Sequence, residues 1–181
     1  MHSNPPKTTP LKLSTVILQE RSDLIEFCAV IMSQKDVMVE IGSLYGISTK
    51  VFARQFKKVY SIDPYLAGYD NNDRNSAAEN MQIAEMVFRV RFYDEPNVEQ
   101  IKQTSIEAVK LFTPESIDFA YIDACHTFTA VCEDIKIWLP KIKPGGYIGG
   151  HDINRTVVKE AVDSFFKDNY ITLGLNWLAR I

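Results

Sequence analysis

The stretch Val37–Phe56, VMVEIGSLYGISTKVFARQF, decides the fold of this 181-residue chain. It begins with a short β-branched run that stops at Gly42, which is typical of a buried strand. From Ser48 onward the apolar residues recur at spacings that suit a helix packed on a sheet. The stretch therefore predicts a strand, a glycine turn and a helix.

Strand and helix patterns continue to alternate after this unit. Further strands are predicted at VYSID, 98–103, IDFAYID and KPGGYIGGHD. Further helices are predicted at 77–93, at SIEAVKLF, and over 128–139 and 157–166, where apolar residues keep helical spacing. The final YITLGLNWLARI predicts two short strands that pair as an antiparallel hairpin at the sheet edge. Upstream of Val37, the segment from Ser14 predicts one or two helices.

This alternation implies right-handed crossovers and a mostly parallel sheet with helices on both faces. We expect one α/β domain over residues 14–181, preceded by a flexible arm at 1–13. Ligands of such sheets bind beyond the carboxyl ends of the strands. The residues that directly follow each strand are therefore the candidate site.

The composition favours a small-molecule enzyme of the cytoplasm. A net charge of -3 gives no long-range attraction for nucleic acid or an anionic membrane surface. No apolar run is long enough to cross a bilayer, and the first ten residues lack the apolar segment of a signal peptide. Cys28, Cys125 and Cys132 form no CxxC pair, which argues against a disulfide framework or a zinc ribbon. We expect Cys125 and Cys132 to be small buried residues.

A glycine turn and a downstream acid predict a nucleoside site. Gly42 and Gly46 would let the backbone approach a ligand at a helix N-terminus. Their spacing is not GxGxxG, and Glu40 would repel a pyrophosphate but favour a cationic ligand such as S-adenosylmethionine. Asp63 follows roughly twenty residues later, where a carboxylate can accept both ribose hydroxyls. A plain tight turn and a turn-capping Asp63 remain alternative interpretations.

A second polar group follows two later strands. Asp123 and His126 come after one strand, and His151 and Asp152 come after the next. Two carboxylates and an imidazole suit an oxygen-preferring ion such as Mg²⁺, which would lower the pKa of a substrate hydroxyl. The imidazole and nearby Cys125 would also suit zinc or manganese, and a metal-free site in which the histidines only make hydrogen bonds stays open.

From Val37 to Trp177 the chain resembles the class I S-adenosylmethionine-dependent methyltransferases, and within them the methyltransferase 24 family of small-molecule O-methyltransferase-like proteins. The likeness rests on four blocks in the expected order, with NWL near the end: VEIGSLYGIST, VYSIDPY, IDFAYIDACHTF and WLPKIKPGGYIGGHD. The resemblance implies a Rossmann-like sheet of seven mostly parallel strands with an antiparallel C-terminal strand.

The resemblance also implies roles for residues. The first block would hold the methionine part of S-adenosylmethionine and the second its ribose, with the region of Thr104 and Ser105 beside the adenine. The expected cofactor-binding residues are Glu40, Gly42, Ser43, Tyr45, Asp63, Ser105, Asp123 and His126. The resemblance implies Asp123 and Asp152 as ligands of a divalent ion, and His151, which stands where some relatives have an acid, is expected to be the third ligand. The expected catalytic residues are His126, His151 and Asp152, since an imidazole could take the proton of the acceptor.

The predicted function is methyl transfer from S-adenosylmethionine to an oxygen of a small acceptor, assisted by a divalent metal. An NAD-dependent oxidoreductase and a cofactor-binding protein without catalysis are the alternatives, and the glycine spacing argues against the first. Because the chain has little room for a substrate domain, we expect specificity to come from the N-terminal helix, the loop after Asp63 and a partner subunit in a homo-oligomer. Tyr65 and Tyr69 are expected to form a mobile lid or acceptor wall.

Overall fold

The computed structural model of the protein describes residues 22–31, 35–69 and 76–181. The strands are β1 (Val37–Ile41), β2 (Lys58–Ile62), β3 (Val98–Ile101), β4 (Ile117–Ile122), β5 (Ile142–Gly150), β6 (Ile171–Leu173) and β7 (Asn176–Arg180). The helices are α1 (22–30), α2 (Ile47–Phe52), α3 (Ala78–Arg91), α4 (Ser105–Ala108), α5 (Phe128–Trp138) and α6 (Thr156–Phe166). The predicted arm and the first part of the predicted N-terminal helices lie outside the described residues.

The strands form one seven-stranded sheet in the order β3-β2-β1-β4-β5-β7-β6. Strands β1 to β5 pair in parallel, whereas β7 is antiparallel to both β5 and β6. The predicted sheet with its C-terminal antiparallel hairpin is therefore confirmed. The strand order reverses between β1 and β4, and such a switch point opens a crevice at the carboxyl ends of the two strands.

The two faces of the sheet carry separate apolar layers. On one face, α5 and α6 bury Trp138, which is 0% exposed, against the inward side chains of the strands. On the other face, α1 and α2 contribute Phe27 and Phe52 to an aromatic cluster with Phe119 and Tyr121 of β4. Because β4 is covered on both sides, all six of its residues are buried. The rigid centre of the sheet thus fixes the position of the residues that follow β1 and β4.

Asp118 joins three strands at the edge of the sheet opposite the crevice. One carboxylate oxygen accepts a 2.8 Å hydrogen bond from the amide of Val37 at the start of β1. The other accepts a 2.8 Å bond from the ammonium of Lys143 in β5. Asp118 itself lies in β4 and is 3% exposed. The amino ends of β1, β4 and β5 are therefore held together by one buried carboxylate.

Helix and strand ends differ from the sequence predictions by a few residues. The strand predicted at 98–103 ends at Ile101, because Thr104 caps α4 through a capping box with Glu107. The predicted helix from Ser48 to Phe56 ends at Phe52 and closes with tighter turns, in which the amide of Arg54 donates to the carbonyl of Val51. These differences leave the topology unchanged.

None of the described helices combines the length and the apolar character that a membrane span requires. The three cysteines are free thiols. Cys28 is buried, whereas Cys125 and Cys132 are partly exposed, so the expectation that both are buried is wrong. Cys125 follows β4 in a loop that borders the crevice, which explains its exposure.

Candidate active site

A cavity of about 670 Å³ opens at the carboxyl ends of the strands on both sides of the switch point. Its wall includes nearly all of the residues predicted from the sequence, namely Gly42, Ser43, Tyr45, Asp63, Ser105, Asp123, His126, His151 and Asp152. Helix α1 adds Asp23 and Leu24. The volume lies in the range of cavities that enclose small ligands and cofactors.

Gly42 forms the floor of the cavity where β1 passes the loop after β4. Its φ angle is 88°, a conformation that glycine adopts readily. A Cβ atom at this position would lie 2.2 Å from the carbonyl oxygen of Asp123. Its amide donates a 2.8 Å hydrogen bond to the carbonyl of Ile62 at the end of β2. A residue without a side chain is therefore required where three strand ends converge.

Glu40 is the one predicted site residue that does not line the cavity. It is 0% exposed, and its carboxylate accepts hydrogen bonds from the hydroxyls of Ser48, Thr49 and Ser61. Burial raises the pKa of Glu40 to about 7, although the three hydroxyls favour the ionised form. Glu40 thus supports the glycine turn from behind by linking β1 to α2 and β2. Its contact with a cofactor stays a prediction.

Asp63 lies on the cavity wall at the end of β2 and is 8% exposed. One carboxylate oxygen accepts a 2.8 Å hydrogen bond from the amide of Leu44, and the other accepts a 2.8 Å bond from the amide of Tyr65. Burial raises its pKa, and these backbone donors oppose the rise. Since each oxygen has a second lone pair, Asp63 can cap the turn and still accept two hydroxyls from a ligand.

Tyr65 supports the glycine turn and does not line the cavity. It is 7% exposed, and its hydroxyl donates to the carbonyl of Leu44 at 3.2 Å and lies 3.3 Å from Oγ of Ser43. Burial raises its pKa well above the usual range, so that the phenol stays neutral. The expectation of an acceptor wall is therefore wrong for Tyr65, and the expectation of a lid stays a prediction. Tyr69 does line the cavity and is 39% exposed, as an acceptor wall would require.

Asp123, His126 and Asp152 bring three ligand atoms within 4.8 Å of one another. Nε2 of His126 lies 2.8 Å from Oδ2 of Asp152 and 3.8 Å from Oδ1 of Asp123. The shorter contact is not aligned along the N–H bond, and neither ring nitrogen makes a directed hydrogen bond within the described part of the chain. Two carboxylates beside an imidazole with unsatisfied nitrogens form a donor set that fits a divalent cation.

The charges of this cluster are strongly coupled. Burial alone would lower the pKa of His126, but Asp123 and Asp152 outweigh it and raise that pKa to about 9. Burial alone would raise the pKa of Asp152. His126 and His151 outweigh this effect and hold that pKa well below its usual range. The ionised carboxylates thus hold a proton on His126, and a cation that replaces this proton would meet the same attraction.

His151 lies beside this cluster rather than inside it. Its Nδ1 atom is 3.8 Å from Oδ1 of Asp123 and 3.6 Å from Oδ1 of Asp152. The sequence predicted His151 as the third metal ligand, whereas the structure groups His126 with the two aspartates. The backbone at Asp152 explains this difference. Asp152 adopts a left-handed conformation with a φ angle of 58°, which turns the chain between β5 and α6.

Sequence reasoning missed Asp134, which lines the same cavity from α5. It is 6% exposed and accepts a hydrogen bond from the hydroxyl of Ser105. That hydroxyl in turn accepts a 2.9 Å bond from Nε1 of Trp138. The available signal was a charged residue at a core position of the helix, three residues after Val131 and four before Trp138, where an apolar residue is the rule.

Known structures share this fold. The O-methyltransferase NovP superposes with a TM-score of 0.67 at 14% identity, over 90% of this chain and 79% of that chain. An O-methyltransferase from Bacillus cereus in complex with SAH gives 0.58 at 15% identity, over 97% and 82%. Phosphoethanolamine N-methyltransferase 1 from Haemonchus contortus gives 0.57 at 16% identity, over 76% of this chain and 26% of that chain. No curated protein matches the sequence significantly.

A mostly parallel sheet with this strand order, a glycine turn after β1 and an acid after β2 define a class I S-adenosylmethionine-dependent methyltransferase. The sequence confirms this class directly, since residues 39–153 match the model of a methyltransferase domain family, methyltransferase 24. The chain belongs to this family.

Proposed function

We propose that this methyltransferase transfers the methyl group of S-adenosylmethionine to an oxygen atom of a small-molecule acceptor. The observation that carries the proposal is the continuity of one cavity. Its wall runs from the glycine turn and Asp63, where a nucleoside fits, to the cluster of Asp123, His126 and Asp152, where an acceptor hydroxyl can be activated. NovP and the Bacillus cereus protein, both called O-methyltransferases, support the oxygen acceptor.

The residues on the cavity wall fit the cofactor part by part. Gly42 and Ser43 line the cavity where the methionine portion would lie, and the absence of a side chain at residue 42 lets β1 pass close to the backbone of Asp123 there. Asp63 offers two lone pairs to the two ribose hydroxyls. The region of Ser105 lies at the end of β3, next in the sheet to β2, and therefore on the side toward which the base extends.

A divalent cation fits the donor atoms of Asp123, His126 and Asp152, with His151 within reach of the same carboxylates. An oxygen-rich set of two carboxylates suits magnesium or manganese, and the imidazole also admits zinc. Such an ion would supply Lewis acidity that lowers the pKa of an acceptor hydroxyl. Asp63 and the glycine turn would place the donor methyl group on one side of that hydroxyl, in line for displacement.

The proton of the acceptor needs a base when the carbon–oxygen bond forms and the carbon–sulfur bond breaks. His151 lines the cavity, and its side chain is 23% exposed, so that its imidazole can accept the proton and return it to solvent. Asp123 and Asp152 lie close enough to stabilise the resulting imidazolium. Where no cation is bound, His126 is held protonated between the carboxylates and cannot act as the base.

Two alternatives are less well supported. An NAD-dependent oxidoreductase would need a glycine loop for a pyrophosphate, and the turn after β1 lacks the GxGxxG spacing. The Haemonchus contortus enzyme is called an N-methyltransferase, but a nitrogen acceptor would gain little from a cluster that lowers the pKa of a hydroxyl. A cytoplasmic location is part of the proposal, in line with three free thiols.

Calorimetry with S-adenosylmethionine, S-adenosylhomocysteine and NAD tests the cofactor. We expect the first two to bind and NAD not to bind; the reverse result would refute the proposal. Methyl transfer to a panel of small catechols, phenols and sugars, with and without a chelator, then tests the acceptor and the metal. Activity that is lost with the chelator and restored by Mg²⁺ or Mn²⁺ supports the metal, and transfer to amines alone would exclude the oxygen acceptor.

Asp152→Asn tests the cluster, since asparagine tolerates the same left-handed backbone. We expect kcat to fall at least about 100-fold while the affinity for S-adenosylhomocysteine changes little, because Asp152 is not among the residues expected to contact the cofactor. Asp163→Asn, on the exposed side of α6 and paired with Lys159, is the matched control and should keep full activity. Equal activity of the wild type and Asp152→Asn would remove the cluster from the mechanism.

A further inference from the structure

We propose that Asp134 recognises the exocyclic amine of the adenine base, through the carboxylate oxygen that Ser105 leaves free. The inference rests on the proposed use of S-adenosylmethionine and deepens it. It assigns the base specificity to a residue of α5, and it assigns to Ser105 the role of a positioning residue.

The orientation of the Asp134 carboxylate is fixed by a chain of hydrogen bonds. Ser105 donates to Oδ1, and the same hydroxyl accepts a 2.9 Å bond from the indole of Trp138, which is 0% exposed. Because the hydroxyl of Ser105 donates its only proton to Asp134, it cannot also donate to a ligand. The carboxylate therefore presents Oδ2 as the hydrogen-bond acceptor at this end of the cavity.

Oδ2 of Asp134 lacks a donor among the residues that the structure describes. The side chain of Asp134 is only 6% exposed, although it lies on the cavity wall. Oδ2 is not among the enclosed polar atoms that lack a partner, so it is open to the cavity, while the burial of the side chain as a whole raises the pKa of Asp134 to about 6. Neighbouring Glu133 adds to this rise. A ligand that fills the cavity is expected to supply the missing donor.

The cofactor has donors in three places, and two of them are already matched. Its ribose hydroxyls face Asp63, and its ammonium belongs to the methionine portion at the glycine turn. The remaining donor is the amine on the base. Since the strand order β3-β2-β1 places the end of β3 beyond Asp63, a base attached to the ribose extends toward Thr104, Ser105 and Ile106. Ile106 is 47% exposed there and offers an apolar surface to a flat ring.

The arrangement also explains how a hypoxanthine base would be rejected. Hypoxanthine carries a carbonyl oxygen in place of the amine, which would bring two acceptors together in a water-poor cavity. A site built around a buried hydrogen bond discriminates strongly against such a replacement. Asn at residue 134 would reverse the preference, because its amide nitrogen can face the carbonyl oxygen while its own oxygen accepts from Ser105.

The test compares the affinities of S-adenosylhomocysteine, its 6-deamino analogue and S-inosylhomocysteine by calorimetry. We expect the wild type to bind S-adenosylhomocysteine about 10- to 100-fold more tightly than either analogue. Asp134→Asn should lose most of this preference and bind S-inosylhomocysteine more tightly than the wild type does. Glu133→Gln, which removes the neighbouring charge at an exposed position of the same wall, should keep the wild-type ratio.

Each outcome decides the matter. Equal affinity of the wild type for S-adenosylhomocysteine and the deamino analogue would overturn the proposal without any variant, so that a poorly folded Asp134→Asn protein cannot hide the answer. A ratio that changes in Glu133→Gln but not in Asp134→Asn would transfer the role to Glu133 and overturn it as well. Failure of the wild type to bind any of the three ligands would instead contradict the proposed function.

Discussion

Gly42 shows how a single missing side chain shapes the active site. An alanine at this position would combine a φ angle of 88° with a Cβ atom 2.2 Å from a backbone oxygen, and backbone cannot give way as a flexible side chain can. We expect Gly42→Ala to lower the free energy of unfolding by about 4 kcal/mol or more and to abolish cofactor binding. Denaturant unfolding and calorimetry measure the two effects.

Gly68 provides the matched control for this substitution. Its φ angle is 77°, but no atom of the described residues lies within 4 Å of a Cβ atom built on it. Gly68→Ala therefore reports the backbone conformation alone, for which we expect about 1–2 kcal/mol. Similar losses for the two variants would mean that the collision with Asp123 does not matter.

The raised pKa of Glu40 predicts that the free energy of unfolding depends on pH. Its pKa in the folded protein is raised to about 7, above the value of the unfolded chain, by burial. The folded state therefore binds the proton more tightly, and the resulting stability is present at pH 4 and is lost as the pH rises through 7. Glu40→Gln lacks this component. The free energy of unfolding of the wild type, minus that of Glu40→Gln, should fall by up to about 3 kcal/mol between pH 4 and pH 9.

Urea titrations at several pH values measure this difference, in which the other carboxylates cancel because both proteins contain them. A difference that stays constant with pH would show that folding does not raise the pKa of Glu40, because its three hydroxyl partners offset its burial.

Among the elements, β4 carries a residue that stabilises the sheet near its start and leads to a residue of the active site at its end. Its first half holds Asp118, which joins β1 and β5, and its end leads to Asp123 in the active site. We expect Asp118→Asn to lower the free energy of unfolding by about 1–3 kcal/mol, because it weakens a buried ion pair with the half-exposed Lys143. Since the site lies at the other end of the strand, kcat at low temperature should stay unchanged.

Thermal unfolding and an activity assay on the same preparation test this separation. Lys143→Met, which leaves the amide of Val37 bonded to Asp118, should lose stability without affecting turnover. A large fall in kcat in either variant would show that the two edges of the sheet are coupled.

The order and type of the elements could be predicted from the sequence, because strands and helices bury faces with different periods. Their ends could not, since the end of β3 depends on the capping box of Thr104 and Glu107, a local hydrogen-bond choice. The predicted helix 77–93 matches α3 to within two residues, because the helical spacing of its apolar residues extends over most of its length. Long periodic segments tolerate small errors at their ends.

At the scale of the whole molecule, α3 leaves an apolar stripe on the surface. Ile83, Met86 and Val90 of α3 and Tyr93 in the turn after it follow one another at spacings of three or four residues and are 48%, 61%, 75% and 85% exposed. The homo-oligomer expected from the sequence stays a prediction, and this stripe is a surface suited to it. We expect sedimentation to show concentration-dependent association that Val90→Glu abolishes; a wild type that remains monomeric at high concentration would contradict the expectation.

The candidate site was largely predictable because its residues directly follow strands. Asp63, Asp123 and Asp152 reach one cavity by topology alone, whatever the details of packing. The roles of Glu40, His126 and Asp134 were not predictable, because they depend on which way a side chain turns. Glu40 turns toward three hydroxyls behind the cavity, His126 turns toward Asp152, and Asp134 depends on a serine far away in the sequence.

Leu44 and Asp152 line the cavity and Tyr65 supports its glycine turn, all three in left-handed backbone conformations that their side chains do not favour by themselves. Such conformations persist only while the surrounding structure holds them. A chain that refolds from denaturant should therefore regain its helices and its sheet before the rim of the cavity takes shape. Affinity for S-adenosylhomocysteine would be the last property to return, after circular dichroism and tryptophan fluorescence have already recovered.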